Sequence, residues 1–330
     1  MEEYECGEVL GRGAFGAAYK VTRKRDQCDF VIKKVDVSRM PEEEKKETKR
    51  EVLIMQKLAG LCDHPNIVAY YDSFLDKDSN QLCIVMEYAD AGALSDIVKE
   101  NKNAGTQIPL DMILRLFTQL ALAVRAMHDV KPAGILHRDL KTQNVFLKRD
   151  ASGQLDVKLG DFGLSKSLKE DEMAKTIVGT PYNLAPELCQ GLSYAKPVDV
   201  WALGCVLYEI TTTRHAFEGS SLPALVMKIM RGMCPSVRER RYSENGGHIP
   251  SEEPSKMELK GAATIGDSTQ VIEDIDDLIS RCLKGDPVRF LAVSECSPAP
   301  RCCMRAHVQH NKFSAWRCVC RMTAARVTKC

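Results

Sequence analysis

Long apolar runs are missing from this 330-residue chain. No stretch reaches the roughly eighteen apolar residues that a bilayer-spanning helix needs, which excludes a helical membrane span. The opening Met1-Glu2-Glu3-Tyr4 has no apolar leader core, so a cytoplasmic location is expected. A disulfide framework is also lacking. Of the 14 cysteines, eight are scattered without regular spacing through the first 282 residues and read as reduced thiols. The remaining six, Cys296, Cys302, Cys303, Cys318, Cys320 and Cys330, stand near His307 and His310. They lack the two-residue spacing of a zinc knuckle, so no metal is assigned to them. Net charge is nearly absent, at +1, but unevenly spread: from Val288 onward eight Lys/Arg face one acid, Glu295. That basic stretch reads as a solvated tail, and no specific nucleic-acid binding is expected from it. Coiled-coil heptads do not appear. What remains, 44% hydrophobic and 28% charged residues, is a globular composition long enough for a two-lobed enzyme plus an appendage.

The chemistry-bearing stretch runs from His137 to Gly163. It contains His137-Arg138-Asp139-Leu140-Lys141-Thr142-Gln143-Asn144 and, a short hairpin later, Asp161-Phe162-Gly163. This spacing matches the catalytic loop and metal-binding turn of phosphoryl-transfer enzymes. Such chemistry needs positioning and charge stabilisation more than covalent help. Asp139 is placed to accept a hydroxyl proton, Asn144 and Asp161 to hold magnesium on ATP phosphates, and Lys141 to neutralise the transferring group.

Other parts occur in matching order. Gly11-Arg12-Gly13-Ala14-Phe15-Gly16 lies between the strand-like Glu8-Val9-Leu10 and Tyr19-Lys20-Val21. An extended segment after the third glycine favours a hairpin over phosphates, because dinucleotide folds place a helix there. Phe30-Val31-Ile32-Lys33 is a short apolar strand ending in a lysine suited to the α- and β-phosphates. Pro41-Glu42-Glu43-Glu44 starts a helix, with proline and acids in its first turn, and that helix carries Glu51, the natural ion-pair partner of Lys33. Leu82-Cys83-Ile84-Val85-Met86 predicts a strand leading into Glu87-Tyr88-Ala89, and Leu110 to His128 has helical spacing. A polar stretch with Ser165, Ser167 and Thr176 ends in Gly179-Thr180-Pro181-Tyr182 and Ala185-Pro186-Glu187. An apolar helix then begins at Asp199-Val200-Trp201.

From about Tyr4 to Asp286 the chain resembles eukaryotic protein kinases, and most closely the NIMA-related serine/threonine kinases. The subfamily likeness rests on Val31-Ile32-Lys33-Lys34-Val35, Arg50-Glu51-Val52, Leu159-Gly160-Asp161-Phe162-Gly163-Leu164 and Met173-Ala174-Lys175-Thr176-Ile177-Val178-Gly179-Thr180-Pro181-Tyr182. The resemblance implies an α+β bilobal fold, with a small mostly-β lobe and a large mostly-α lobe, using ATP and Mg2+. It implies a nucleotide site of Gly11, Gly13, Gly16, Ala18, Val31, Lys33, Met86, Glu87, Ala89 and Phe146, with Met86 as gate and Glu87 to Ala89 as hinge. Asp139, Lys141, Lys33 and Glu51 are the catalytic group, and Asn144 and Asp161 the metal ligands. Thr176 is the activating phosphosite, because a phosphate can pin a loop to cations such as Arg138. Thr180 contacts Asp139 and Lys141 beside the substrate. Met55, Tyr70, His137 and Phe162 form a regulatory stack. Protein substrates, cell-cycle or cytoskeletal partners, and a centrosomal, basal-body or nuclear location are implied by the likeness alone.

Departures from the family pattern divide the chain further. Ala18 stands where a valine is usual and Val31 where an alanine is usual, so Val31 is expected to fill space left by Ala18. The chain divides into 1–88 (small lobe and hinge), 89–287 (large lobe, with a flexible insert at about 236–274) and 288–330, a basic, cysteine-rich tail read as disordered. The insert reading rests on Glu244-Asn245-Gly246-Gly247, Pro250 and Pro254. Asp286-Pro287-Val288-Arg289 is one residue short of the family spacing, which leaves the pairing of Arg289 with Glu187 in question. The alternative to an active enzyme is a nucleotide-binding scaffold with impaired catalysis.

Overall fold

A computed structural model of the chain describes residues 2–13, 16–37, 42, 53, 64–76, 79, 81–132, 134–161, 182–192, 196–242 and 268–283. These residues belong to two compact units, Met1–Ala93 with Leu122–Asp139 and Asn144–Leu168, and Leu94–Ala121 with Leu140–Gln143 and Lys169–Cys330.

The first unit is built on five strands: β1 (Tyr4–Gly13), β2 (Gly16–Arg23), β3 (Cys28–Asp36), β4 (Tyr70–Asp76) and β5 (Gln81–Glu87). They form one antiparallel sheet in the order β1-β2-β3-β5-β4. Alternation assigns its faces, because neighbouring side chains on a strand point to opposite sides. Val21, Phe30, Ile32, Cys83 and Val85 share one face and form a buried cluster, with Tyr4, Tyr19 and Phe74 packed against it. Phe30 meets Tyr4 and Tyr71 edge-on, at centroid distances of 6.2 and 5.1 Å. The register places Ala18 opposite Lys33, Lys20 opposite Val31, and Val31 opposite Met86, so Ala18, Val31, Lys33 and Met86 occupy the other face.

A second hairpin, β6 (Val145–Arg149) and β7 (Leu155–Leu159), completes this unit. Its turn is self-organised: the Asp150 carboxylate accepts from the backbone N–H of Ser152 and Gln154, both at 2.8 Å, and Gly153 takes φ 82°. Val145, Leu147, Val157 and Leu159 are fully buried. The hairpin is anchored by Ala91 N–H to Leu147 O (2.9 Å), Leu147 N–H to Gly92 O (2.8 Å) and Val68 N–H to Leu159 O (2.9 Å).

The second unit is helical. Its elements are α1 (Leu94–Ala104), the first part of α2 (Leu110–His128), α3 (Pro186–Cys189), α4 (Lys196–Thr212), α5 (Leu222–Arg231), α6 (Val237–Tyr242) and α7 (Ser268–Leu283). Every residue of α4 from Val198 to Thr212 is buried, as befits a helix without a polar face. It can approach α7 closely because Gly204 lacks a side chain: a Cβ there would lie 2.6 Å from Cys282 Cβ. α5 is delimited by its own ends, with Ser221 Oγ accepting from Ala224 N–H at 3.3 Å and Gly232 at φ 62° closing it. α6 is tied to α7 by the Asp276 carboxylate, which accepts from Val237 N–H at 3.0 Å and Ser236 Oγ at 3.3 Å. Arg241 of α6 is buried and donates to Thr211 O (2.6 Å) and Ile108 O (3.0 Å), while Gln107 donates to the Arg241 carbonyl.

The antiparallel sheet and helical second unit agree with the α+β class expected. The flexible insert expected at about 236–274 needs correction at both margins. Val237–Tyr242 and the first turns of Ser268–Leu283 are helical. The glycines and prolines lie between these two helices, whose places are set by burial of Val237, Val271, Ile272 and Ile275. Residues 243–267, the pairing of Arg289 and the tail 288–330 lie outside the described residues. Seven described cysteines are free thiols, and no described helix is long and apolar enough to cross a membrane.

Candidate functional site

The first unit brings together residues far apart in sequence. Lys33 Nζ lies 2.8 Å from Asp161 Oδ1, an ion pair across 128 positions. Lys33 reaches it from β3, on the sheet face shared with Ala18, Val31 and Met86. Asp161 follows β7 at φ 53°, a left-handed conformation that a carboxylate residue tolerates better than most. The turn before it is fixed by Gly160 N–H donating to Asn144 O at 3.1 Å and by a contact of 3.1 Å between His137 Nε2 and Gly160 O.

Asn144 closes a 3-10 turn (Thr142–Asn144) at the start of β6. Its Nδ2 donates to Asp139 O (2.7 Å) and Asp139 Oδ2 (3.0 Å). These bonds orient the Asp139 carboxylate and assign the Asn144 nitrogen, so its amide oxygen is the atom that could hold a metal. Arg138, next to Asp139, takes φ 67°. Backbone strain of this kind concentrates at functional sites. The Asp161 carboxylate and Asn144 amide oxygen are hard donors of the type Mg2+ takes in combination with phosphate oxygens, so the donor set fits that ion. Among the described residues no cluster of three or more His, Cys, Asp or Glu forms a closed metal cage.

The glycines divide in purpose. A Cβ on Gly16 would lie 1.8 Å from Lys34 O, so this position must be glycine for β2 to pair with β3. A Cβ on Gly11 would meet nothing within 4 Å. Gly13 pairs with Gly16 at the hairpin end. Gly160, by contrast, admits Phe146, whose ring carbon Cε2 would stand 3.1 Å from an added Cβ. Ala18 and Val31 are half-buried diagonal neighbours on one sheet face. Ala18→Val is therefore expected to weaken ATP binding about tenfold, because overpacking costs about 1–3 kcal/mol. Calorimetric titration checks this, and unchanged or tighter binding would refute it.

Met86 and Glu87 end β5, and Ala89 follows. Sequence reasoning missed what the Glu87 side chain does. Its carboxylate meets Lys148 Nζ at 2.7 Å and Lys158 Nζ at 2.9 Å, and it also accepts from Ala69 N–H at 3.3 Å. Burial pushes the Glu87 carboxyl upward, yet the two lysine hydrogen bonds outweigh it and hold the group below its ordinary value. The signal was present as two lysines flanking Phe146 on the hairpin, but nothing local named their partner.

Lys141 is half-buried and belongs to the second unit with Thr142. That unit holds another group the sequence reading passed over, Glu209 on α4. Burial pushes its carboxyl up to about 7, against smaller opposing pulls from the Thr142 hydroxyl and Lys102. His215 Nδ1 lies 3.6 Å from Glu209 Oε1, and the His215 ring stacks on Tyr182 at 3.9 Å. Burial also lowers the His215 pKa, so the contact is not a full ion pair near neutrality. Because the folded-state pKa of Glu209 is raised, its stabilising contribution is present below the unfolded value near 4.5 and lost as pH rises through about 7. Glu209→Gln is thus expected to stabilise the protein at pH 8 by on the order of 2 kcal/mol and to lose that gain toward pH 4.5. Denaturant unfolding at the two pH values decides it. An acid inside an apolar helix was the available clue.

Glu51, Thr176, Thr180, Ser165, Ser167, Met55 and Phe162 lie outside the described residues. Of the expected stack, Tyr70 lies on β4 and His137 is fully buried.

Comparison with known proteins agrees with this geometry. The sequence profile of the family described as Protein kinase domain matches residues 4–300. The chain is 43% identical over 231 residues to the serine/threonine-protein kinase Nek5 of Homo sapiens, covering 69% of this chain and 30% of that protein. It is 42% identical over 244 residues to the serine/threonine-protein kinase Nek8 of Danio rerio, covering 74% and 33%. Against the serine/threonine-protein kinase Nek2 of Homo sapiens it is 40% identical over 251 residues, covering 75% and 54%. The chain spans about a third of the length of the first two of these relatives.

Proposed function

The chain belongs to the protein kinase family, and from that premise we propose that it is a NIMA-related serine/threonine kinase, transferring the γ-phosphate of ATP to serine and threonine hydroxyls of protein substrates. The observation that carries the reading is the convergence of Lys33, Asp161, Asn144 and Asp139 in one unit, with contacts of 2.8 Å between the first two and 3.0 Å between the Asn144 and Asp139 side chains. The sheet face bearing Ala18, Val31 and Met86 receives the adenine, and Lys33 binds the α- and β-phosphates. Asn144 and Asp161 would hold Mg2+, which supplies charge neutralisation on the phosphates when bound. Asp139, oriented by the Asn144 amide, accepts the proton of the incoming hydroxyl as its oxygen bonds to phosphorus and ADP departs. Lys141 adds positive charge beside the transferring group. Phosphorylation of Thr176 raises the activity, and Thr180 aligns the substrate. The protein works in the cytoplasm, on cytoskeletal or cell-cycle substrates.

The test is incorporation of phosphate from ATP into casein, with Mg2+, before and after phosphorylation of Thr176. Transfer to serine or threonine supports the reading. A folded protein that shifts its melting temperature with ATP but transfers nothing in either state would be a scaffold instead.

A further inference from the structure

Glu87 carries more connections than an end-of-strand residue needs. Its backbone N–H donates to Ala69 O at 2.9 Å while its carboxylate accepts from Ala69 N–H at 3.3 Å, so residue 87 and residue 69 are joined twice. The same carboxylate takes Lys148 on one oxygen at 2.7 Å and Lys158 on the other at 2.9 Å, and its side chain is only 9% exposed. The two lysines are not arbitrary surface cations. Lys158 stands directly opposite Phe146 in the β6–β7 register, and Lys148 lies two residues beyond Phe146 on β6. Both therefore share the hairpin face of Phe146 and flank it. Behind this face Asn66 Nδ2 donates to Val157 O at 3.1 Å and Asn66 O accepts from Leu159 N–H at 2.8 Å, which fixes the hairpin to the segment leading to Ala69.

We infer that Glu87 is a positioning residue: its carboxylate, held by Lys148 and Lys158, sets the spacing between the hinge backbone at 87–89 and the Phe146 ring, and thereby the affinity for the adenine moiety. The inference rests on the kinase reading of the nucleotide site. Its physical basis is that a low-exposure carboxylate with two cationic partners has one arrangement, so the strand end and the hairpin move together. Removing the charge frees the end of β5 to shift against Phe146. The phosphate-binding groups Lys33 and Asp161 pair with each other at 2.8 Å.

The full chain is titrated calorimetrically with ATP and, separately, with adenosine, as wild type, Glu87→Gln, Lys158→Met and Lys148→Met. Expected are losses of about three- to tenfold in affinity for Glu87→Gln and Lys158→Met. The factor is the same for adenosine as for ATP, because the effect lies at the base. The double variant Glu87→Gln/Lys158→Met is expected to lose no more than the worse single one, as partners in one interaction do. Lys148→Met, at the more exposed lysine, gives a smaller loss and serves as the deciding variant where Glu87→Gln does not fold. Variants with a lowered melting temperature but unchanged affinities would overturn the inference, leaving a structural brace. A loss confined to ATP would also overturn it, since the effect would then run through the phosphates. Failure of the wild type to bind either compound would instead overturn the kinase reading itself.

Discussion

Asp139→Asn is expected to leave a folded protein that binds ATP with wild-type affinity and phosphorylates casein at least ~10²- to 10⁴-fold more slowly, the range attributed to a positioned general base. The reason lies in the bonds from Asn144, which the substitution can keep. Asn144 Nδ2 donates to Asp139 O and Oδ2, at 2.7 and 3.0 Å. The first bond uses main chain, and an asparagine oxygen can accept the second. Lys33 and Asp161, proposed above to meet the phosphates, remain paired with each other. What disappears is the carboxylate proposed to take the hydroxyl proton. The measurement is steady-state phosphate transfer beside calorimetric ATP titration. Retention of more than about a tenth of the activity would remove Asp139 from the role of base.

The largest effect on stability is expected from Arg241→Leu. Its guanidinium donates to Thr211 O at the end of α4 and Ile108 O ahead of α2, at 2.6 and 3.0 Å, and only 7% of the residue is exposed. Leucine would leave both carbonyls unpaired away from water. Hydrogen bonds to a charged group contribute about 1.5–3 kcal/mol each, so a loss of about 3–5 kcal/mol follows. For a unit of this size that lowers the melting temperature by about 8–15 °C. The neighbouring Arg240 is the control: it approaches Glu218 only at 4.0 Å, with both side chains partly exposed, and Arg240→Ala is expected to cost less than about 1 kcal/mol. Calorimetric melting of the two variants separates them, and equal shifts would show that Arg241 is not a buried tie.

What the sequence made legible follows the range of each interaction. Local spelling located the pieces: the glycine hairpin, the strand carrying Lys33 (which runs on to Asp36 rather than ending at the lysine), Asp139 and Asn144 five residues apart, and Asp161 after a hairpin. The pairing of β2, β3 and β5 puts Ala18, Val31, Lys33 and Met86 on one face, a consequence of register that the sequence alone left unread. Interactions across long separations stayed hidden. Glu87 reads as a hinge residue by position, but its partners lie 61 and 71 positions away, and no local pattern names them. Gly16 reads as a phosphate-loop glycine, yet its immediate constraint is the approach of Lys34 O. Arg241 falls within a stretch whose glycines, prolines and charges spell a solvated insert, while its actual environment is set by α4 and α2. Turn chemistry is written in neighbouring residues, and burial of a single arginine is not.

Trp201, 2% exposed, stacks on Phe217 with ring centroids 5.5 Å apart and planes 9° from parallel. The chain has two tryptophans, the other being Trp316. In a Trp316→Phe background the emission of the protein comes from one indole shielded within the second unit. Its fluorescence is blue-shifted while α4 is packed and moves to the red when water reaches the ring. Opening of that unit can therefore be timed optically, in the absence of nucleotide and without any turnover.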